Sequence, residues 1–250
     1  MRKYTPSSLV LAFARQLAQS FSLALLALIC LAWTPFALLL LLFPESPVRQ
    51  RIGRRAIHYG FRAYLGILNF FRLLSLRIEG KEKLLSPHRS VIAPNHPSLI
   101  DAVILLSLVP DCGCILKADL LRHPLFGAGA RLAGYISNES THQMIKAAVK
   151  DLNDGNPILM FPEGTRTESP PIRPLKLSPF AIAKKAGVPI RAVVIRCPRG
   201  FLSKGNTFNP PNEVPVKITV TAGPALLIEA GETRPTAERM AHYFREALSQ

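Results

Sequence analysis

No charged residue falls between Gln16 and Pro44, an interval that holds the apolar runs Leu23 to Ile29 and Phe36 to Phe43 around Trp33-Thr34-Pro35. It is too long for the core of a signal peptide, which needs roughly 7 to 15 residues, and no small-x-small cleavage pattern follows it. A single spanning helix of about 20 residues would fit. Basic residues flank both ends, however: Arg2, Lys3 and Arg15 before the interval, and Arg49, Arg51, Arg54 and Arg55 after it. Positive flanks on both sides favour keeping both ends in the cytoplasm, and two full spans would need about 40 apolar residues. The pattern therefore predicts a shallow pair of helices bent near Pro35, with a single span as the alternative. A second apolar run, Phe61 to Leu76, is interspersed with Arg62 and Arg72. It reads equally as an interfacial helix or as a core helix with snorkelling arginines.

Beyond this point the periodicity changes. Short β-rich runs at 74–79, 90–93, 113–117, 134–137, 157–161, 190–197 and 216–221 alternate with amphipathic stretches at 98–108, 141–153, 175–186 and 235–248. Alternation of this kind predicts an α/β fold, with a roughly seven-stranded sheet flanked by helices behind an N-terminal membrane-embedded helical segment. The expected division is a membrane-binding helical region over residues 1–73 and an α/β domain over residues 74–250.

Charge narrows the partners. Lys and Arg number 31 against 16 Asp and Glu, a net +15, which calls for a polyanion: nucleic acid, anionic lipid headgroups or a phosphorylated ligand. No zinc-finger spacing, aromatic RNP-like run or regular basic helix supports nucleic acid, so membrane lipids are the expected partner and nucleic acid is not. The cysteines, Cys30, Cys112, Cys114 and Cys197, lack metal-ligand spacing with histidine and read as reduced structural thiols, with no metal site expected.

Two short runs carry the candidate chemistry. In Asn95-His96-Pro97-Ser98-Leu99-Ile100-Asp101, a histidine precedes a carboxylate by five residues, at the step from a strand into a helix. The carboxylate can accept the Nδ1 proton and leave Nε2 free as a general base. Ser98 and Asp101 also have the spacing of a helix-capping box, and Ser98 reads better as a cap than as a nucleophile because the chain has no Gly-x-Ser-x-Gly elbow. The second run, Phe161-Pro162-Glu163-Gly164-Thr165-Arg166, follows another strand. Its glycine allows close backbone approach, Glu163 can hold an acceptor or organise the loop, and Arg166 can grip a phosphate. Gly127-Ala128-Gly129-Ala130 lacks the pattern of a dinucleotide loop and reads as packing glycines. The basic set Lys176, Lys184, Lys185, Arg191 and Arg196 reads as a solvated face or as a contact for phosphates.

The pair of motifs closely resembles the first and third blocks of the lysophospholipid acyltransferases of the 1-acylglycerol-3-phosphate type, over residues 74 to 221. The resemblance implies a membrane-bound O-acyltransferase of phospholipid biosynthesis, facing the cytoplasm at the inner membrane. It would move a fatty acyl group from coenzyme A or acyl carrier protein to a lipid hydroxyl, with no bound cofactor. His96 and Asp101 would be catalytic, and Asn95, Ser98, Lys117, Glu163, Gly164, Thr165 and Arg166 would meet substrate. Two blocks depart from the pattern: Asn138 stands where the family has an arginine, and Val188-Pro189-Ile190-Arg191-Ala192-Val193 replaces a second proline with alanine. With Asn138 there, Arg166 is left to hold an acceptor phosphate alone or with Lys117. The alternatives are acyl transfer to a non-phosphate lipid or secondary-metabolite hydroxyl, or a non-catalytic membrane-binding protein.

Overall fold

The computed structural model describes residues 6–86, 89–168, 171–205 and 207–249. Arg2 and Lys3, two of the flanking charges, lie outside the described residues. In chain order the elements are α1 (Pro6–Leu41), α2 (Pro47–Phe70), β1 (Leu74–Glu79), α3 (Lys81–Leu84), β2 (Val91–Pro94), α4 (Asp101–Leu108), β3 (Gly113–Leu116), α5 (Ala118–Arg122) and α6 (Gly127–Leu132). They continue with β4 (Ile136–Ser137), α7 (Thr141–Asn153), β5 (Ile158–Leu159), α8 (Ser178–Ala186), β6 (Ile190–Arg196), β7 (Val216–Leu226) and α9 (Thr233–Ser249).

All seven expected strands join one sheet in the order β1-β7-β6-β2-β5-β3-β4. The pairings are parallel except β6 with β7. β2 and β5 are parallel neighbours, with Val91 opposite Ile158 and Ile92 opposite Leu159. The loops that leave their carboxyl ends therefore emerge side by side, which is where ligands gather on an open α/β sheet. One apolar layer packs α4 and parts of α1 and α2 against one face of the sheet; α7, α8 and α9 cover the other.

The expected division into two helices at Pro35 does not occur: α1 continues through it to Leu41. Proline removes one backbone donor, but Ala37 and Trp33 on either side of it pack on Ala128 and Leu132 of α6, and this tertiary contact outweighs the local cost of about 3 kcal/mol. The chain reverses instead at residues 42–46, where Ser46 Oγ accepts from the Arg49 backbone N–H at 3.2 Å and Pro47 starts α2. The N-terminal region is thus a helix pair, but its second arm is the arginine-rich α2 rather than the second half of the apolar interval. The Phe61 to Leu76 run also divides, into helix as far as Phe70 and strand from Leu74. Within it α2 buries Tyr64, Leu65 and Leu68 while Phe70 stays exposed, so it has both a core face and an outer face.

α1 is two-faced as well. From Val10 to Leu41 it is long and apolar enough to cross a membrane, with mean hydropathy 2.5. Yet Gln19, Ser22, Leu26 and Ala37, spaced as one helical stripe, are buried against the rest of the protein. Ser22 and Tyr64 share a hydroxyl hydrogen bond of 2.7 Å, and the Gln19 side chain donates to the Thr207 carbonyl at 3.0 Å. The opposite stripe, including Leu17, Phe21, Leu28, Leu31 and Leu38, is exposed.

Two of the flanking arginines pair with carboxylates, and one of them, Arg54, turns inward rather than toward lipid. Arg54 is buried and grips Asp151 of α7 through both Nη atoms, at 3.0 and 2.7 Å, while its Nε donates to the Ala133 carbonyl at 2.9 Å. Arg55 pairs with Asp111 at 3.2 Å. α2 can come this close because Gly53 has no Cβ: one there would stand 2.6 Å from the Ala133 nitrogen. Gly127 and Gly129 are likewise sites of close packing, against the Leu121 carbonyl and the Trp33 ring.

Candidate active site

His96 leaves β2 and Asp101 opens α4, so the pair spans a strand-to-helix step. His96 Nδ1 lies 2.9 Å from Asp101 Oδ2, which also accepts the Ser98 backbone N–H at 2.7 Å. The second contact is half of the expected capping box. The other half is missing: Ser98 Oγ is buried with no partner among the described residues, and so is Asp101 Oδ1. Burial raises the pKa of Asp101 from its ordinary value, while the hydrogen bond and charge of His96 act in the opposite direction. Engagement of Nδ1 assigns Nε2 as the nitrogen that can exchange a proton with a ligand. Phe161, from the second motif, stacks on the imidazole with centroids 3.9 Å apart and planes 24° apart.

The second motif also fixes the main chain of His96. Glu163 Oε1 accepts the His96 backbone N–H at 2.9 Å, and the Thr167 N–H donates to the His96 carbonyl at 2.7 Å. Glu163 is 3% exposed; its remaining bonds go to the Thr167 hydroxyl and, from Oε2, to the Arg173 N–H at 2.9 Å. Its carboxylate is fully used in joining the two loops.

His96 opens on a cavity of about 950 Å³. Its walls are mainly apolar and come from every layer: Ile29 and Trp33 of α1, Phe61 of α2, Val103 of α4 and Met160 after β5 contribute. Of the residues expected to meet substrate, Lys117, Gly164, Thr165 and Arg166 line this cavity. Asn95, Ser98 and Glu163 sit behind its wall. The Asn95 amide acts as an extra peptide unit in the sheet, accepting from the Ile195 N–H at 2.7 Å and donating to the Ile195 carbonyl at 2.9 Å. Ser98 is wholly buried and Glu163 is saturated, so none of the three lines the cavity.

Arg166 is already partly engaged. Its Nη1 donates to the Leu202 and Ser203 carbonyls at 2.8 and 3.1 Å and to the Thr207 hydroxyl at 3.3 Å. Asn138 lines the cavity too, so the neutral amide faces the same space as the cations. The basic set from Lys176 to Arg196 does not form one face. Arg191 is buried on the Gly223 and Ser86 carbonyls, Arg196 donates to the Ala247 carbonyl, and within the set only Lys176 lines the cavity. Lys204, from a loop without regular secondary structure, also lines it and was not singled out from the sequence.

A family model described as Acyltransferase matches residues 75–196, the stretch that holds both motifs and the sheet between them. These residues are similar to an acyltransferase domain. Among relatives, the 1-acyl-sn-glycerol-3-phosphate acyltransferase of Cocos nucifera is 29% identical over 66% of this chain and 53% of its own length. The protein named 1-acyl-sn-glycerol-3-phosphate acyltransferase alpha of Mus musculus is 30% identical over 51% of this chain and 48% of its own. The chain spans about half the length of the curated relatives it matches. The crystal structure of the 1-acyl-sn-glycerophosphate (LPA) acyltransferase PlsC from Thermotoga maritima superposes with a TM-score of 0.74. It covers 96% of this chain and 95% of its own at 18% identity, which establishes a common fold from the N-terminal helices onward.

Proposed function

We propose that this protein is a membrane-bound O-acyltransferase that transfers a fatty acyl group from a thioester, on coenzyme A or acyl carrier protein, to the free hydroxyl of 1-acylglycerol 3-phosphate, a step of phospholipid biosynthesis. The observation that carries the reading is the His96–Asp101 pair opening on a large apolar cavity that cations also line. The names of the relatives support this choice of acceptor. His96 Nε2 takes the hydroxyl proton as the oxygen attacks the thioester carbonyl; the carbon–sulfur bond then breaks, and the imidazolium returns the proton to the departing thiolate. Asp101 holds the tautomer and steadies the imidazolium, so no acyl-enzyme is required. The exposed apolar stripe of α1 supports monotopic attachment, with the α/β domain on the cytoplasmic side of the inner membrane.

Purified protein is incubated with acyl-CoA or acyl carrier protein thioester and a panel of lyso-lipids, and the products are read by mass spectrometry. Phosphatidic acid is the expected product, and His96→Ala should retain less than about 1% of the rate, since general-base catalysis is worth roughly 10²- to 10⁴-fold. Product from neutral lyso-lipids alone would favour the non-phosphate acceptor that Asn138 suggests. No product from any acceptor would favour a non-catalytic membrane-binding role.

A further inference from the structure

Four cations are among the residues that line the cavity: Lys117, Arg166, Lys176 and Lys204. Their partners set them apart. Lys204 Nζ stands 2.5 Å from Glu168 of the loop between β5 and α8, which also holds Arg173, so its charge is already paired. Arg166 spends Nη1 on two carbonyls and a hydroxyl. Lys117 and Lys176 form no ion pair among the described residues.

Lys176 is the one built into the turn of the second motif. Its backbone N–H donates to the Pro162 carbonyl at 2.8 Å, and its side chain crosses the bare face of Gly164. A Cβ at Gly164 would lie 2.6 Å from Lys176 Cε and 2.7 Å from Nζ, so the glycine, at φ +72°, serves both the turn and the passage of the lysine. The nearest carboxylate in sequence on that turn, Glu163, is saturated behind it. An unpaired ammonium beside an apolar cavity gains most when an anion arrives, because charge-assisted hydrogen bonds strengthen as water is excluded.

We infer that Lys176 is the specificity-determining cation of this site and pairs with the anionic headgroup of the acceptor, ahead of the partly engaged Arg166. The inference rests on the phosphate-acceptor reading above and adds the residue that selects for it.

The test is steady-state kinetics of Lys176→Gln, Lys176→Arg and, as a charge-matched control on the exposed side of α8, Lys185→Gln. Lys176 is exposed, so these changes leave the core untouched. For 1-acylglycerol 3-phosphate, Lys176→Gln should raise KM about tenfold or more with a much smaller change in kcat, while Lys185→Gln behaves as wild type. Inhibition by glycerol 3-phosphate, which carries the headgroup without the chain, should weaken by the same factor, and Lys176→Arg should recover most of both. A KM and an inhibition constant within about twofold of wild type in Lys176→Gln would overturn the assignment. If the wild type ignores 1-acylglycerol 3-phosphate and acylates neutral lyso-lipids, the acceptor reading itself falls, and this inference falls with it.

Discussion

The completely buried carboxyl of Asp101 gives the proposed catalytic pair a signature in stability as well as in rate. Its pKa is raised in the fold, chiefly by desolvation, so the folded state disfavours the ionised form relative to the unfolded chain. The resulting cost is absent below the ordinary carboxylate value and develops as pH rises from there through the raised folded value. Asp101→Asn never carries that charge. Its stability relative to wild type should therefore improve between pH 4 and pH 8, as read by thermal unfolding in detergent, while its acyl-transfer rate falls steeply. At neutral pH the two proteins should differ by no more than about 1 kcal/mol, because Asn can still accept the Ser98 N–H. A stability difference that does not move with pH, or a variant that keeps its rate, would contradict this account. The pair itself was legible in the sequence because both partners lie on one strand-to-helix step. For Glu163 the sequence left two roles open, holding an acceptor or organising the loop: its main contact, the His96 N–H, is distant in the chain, and a buried acid that joins two loops has the same local pattern as one that meets a ligand.

At the scale of elements, β-rich runs between turn residues located all seven strands. The short helix α6 escaped because Gly127 and Gly129 lower helix propensity and only tertiary contact holds the helix there. Pro35 misled for the same reason in reverse, since packing on α6 carried the helix through a residue that locally favours a break. The orientation of Arg54 could not be read at all; a basic residue after an apolar run looks like a lipid anchor until its partner on α7 is known. The buried Arg54–Asp151 pair makes its own prediction. Removing one partner leaves the other charge buried, so Asp151→Ala should destabilise the protein by roughly 3–5 kcal/mol and loosen α2 from α7. Denaturant unfolding would measure it, and a loss below about 1 kcal/mol would place the pair among the inconsequential ones.

For the molecule as a whole, the proposed monotopic attachment predicts that a cysteine placed at Ser7, near the start of α1, is not labelled by a membrane-impermeant maleimide added outside intact cells. It should react once the membrane is opened. Labelling from outside would mean that α1 spans. The packing of α1 and α2 also bears on how the protein can be handled. Leu26, Tyr64, Leu65 and Leu68 share one core with Ile92, Leu159 and Val193 of the sheet, and Ile29, Trp33 and Phe61 are cavity wall. Cutting the chain after residue 73 would strip a wall from the cavity and bare the core beneath it, leaving an aggregation-prone fragment in place of a compact domain. Protein engineers seeking a detergent-free version should keep the helices and recolour only the outward stripe of α1, at Leu17, Phe21, Leu28, Leu31 and Leu38, with charged residues.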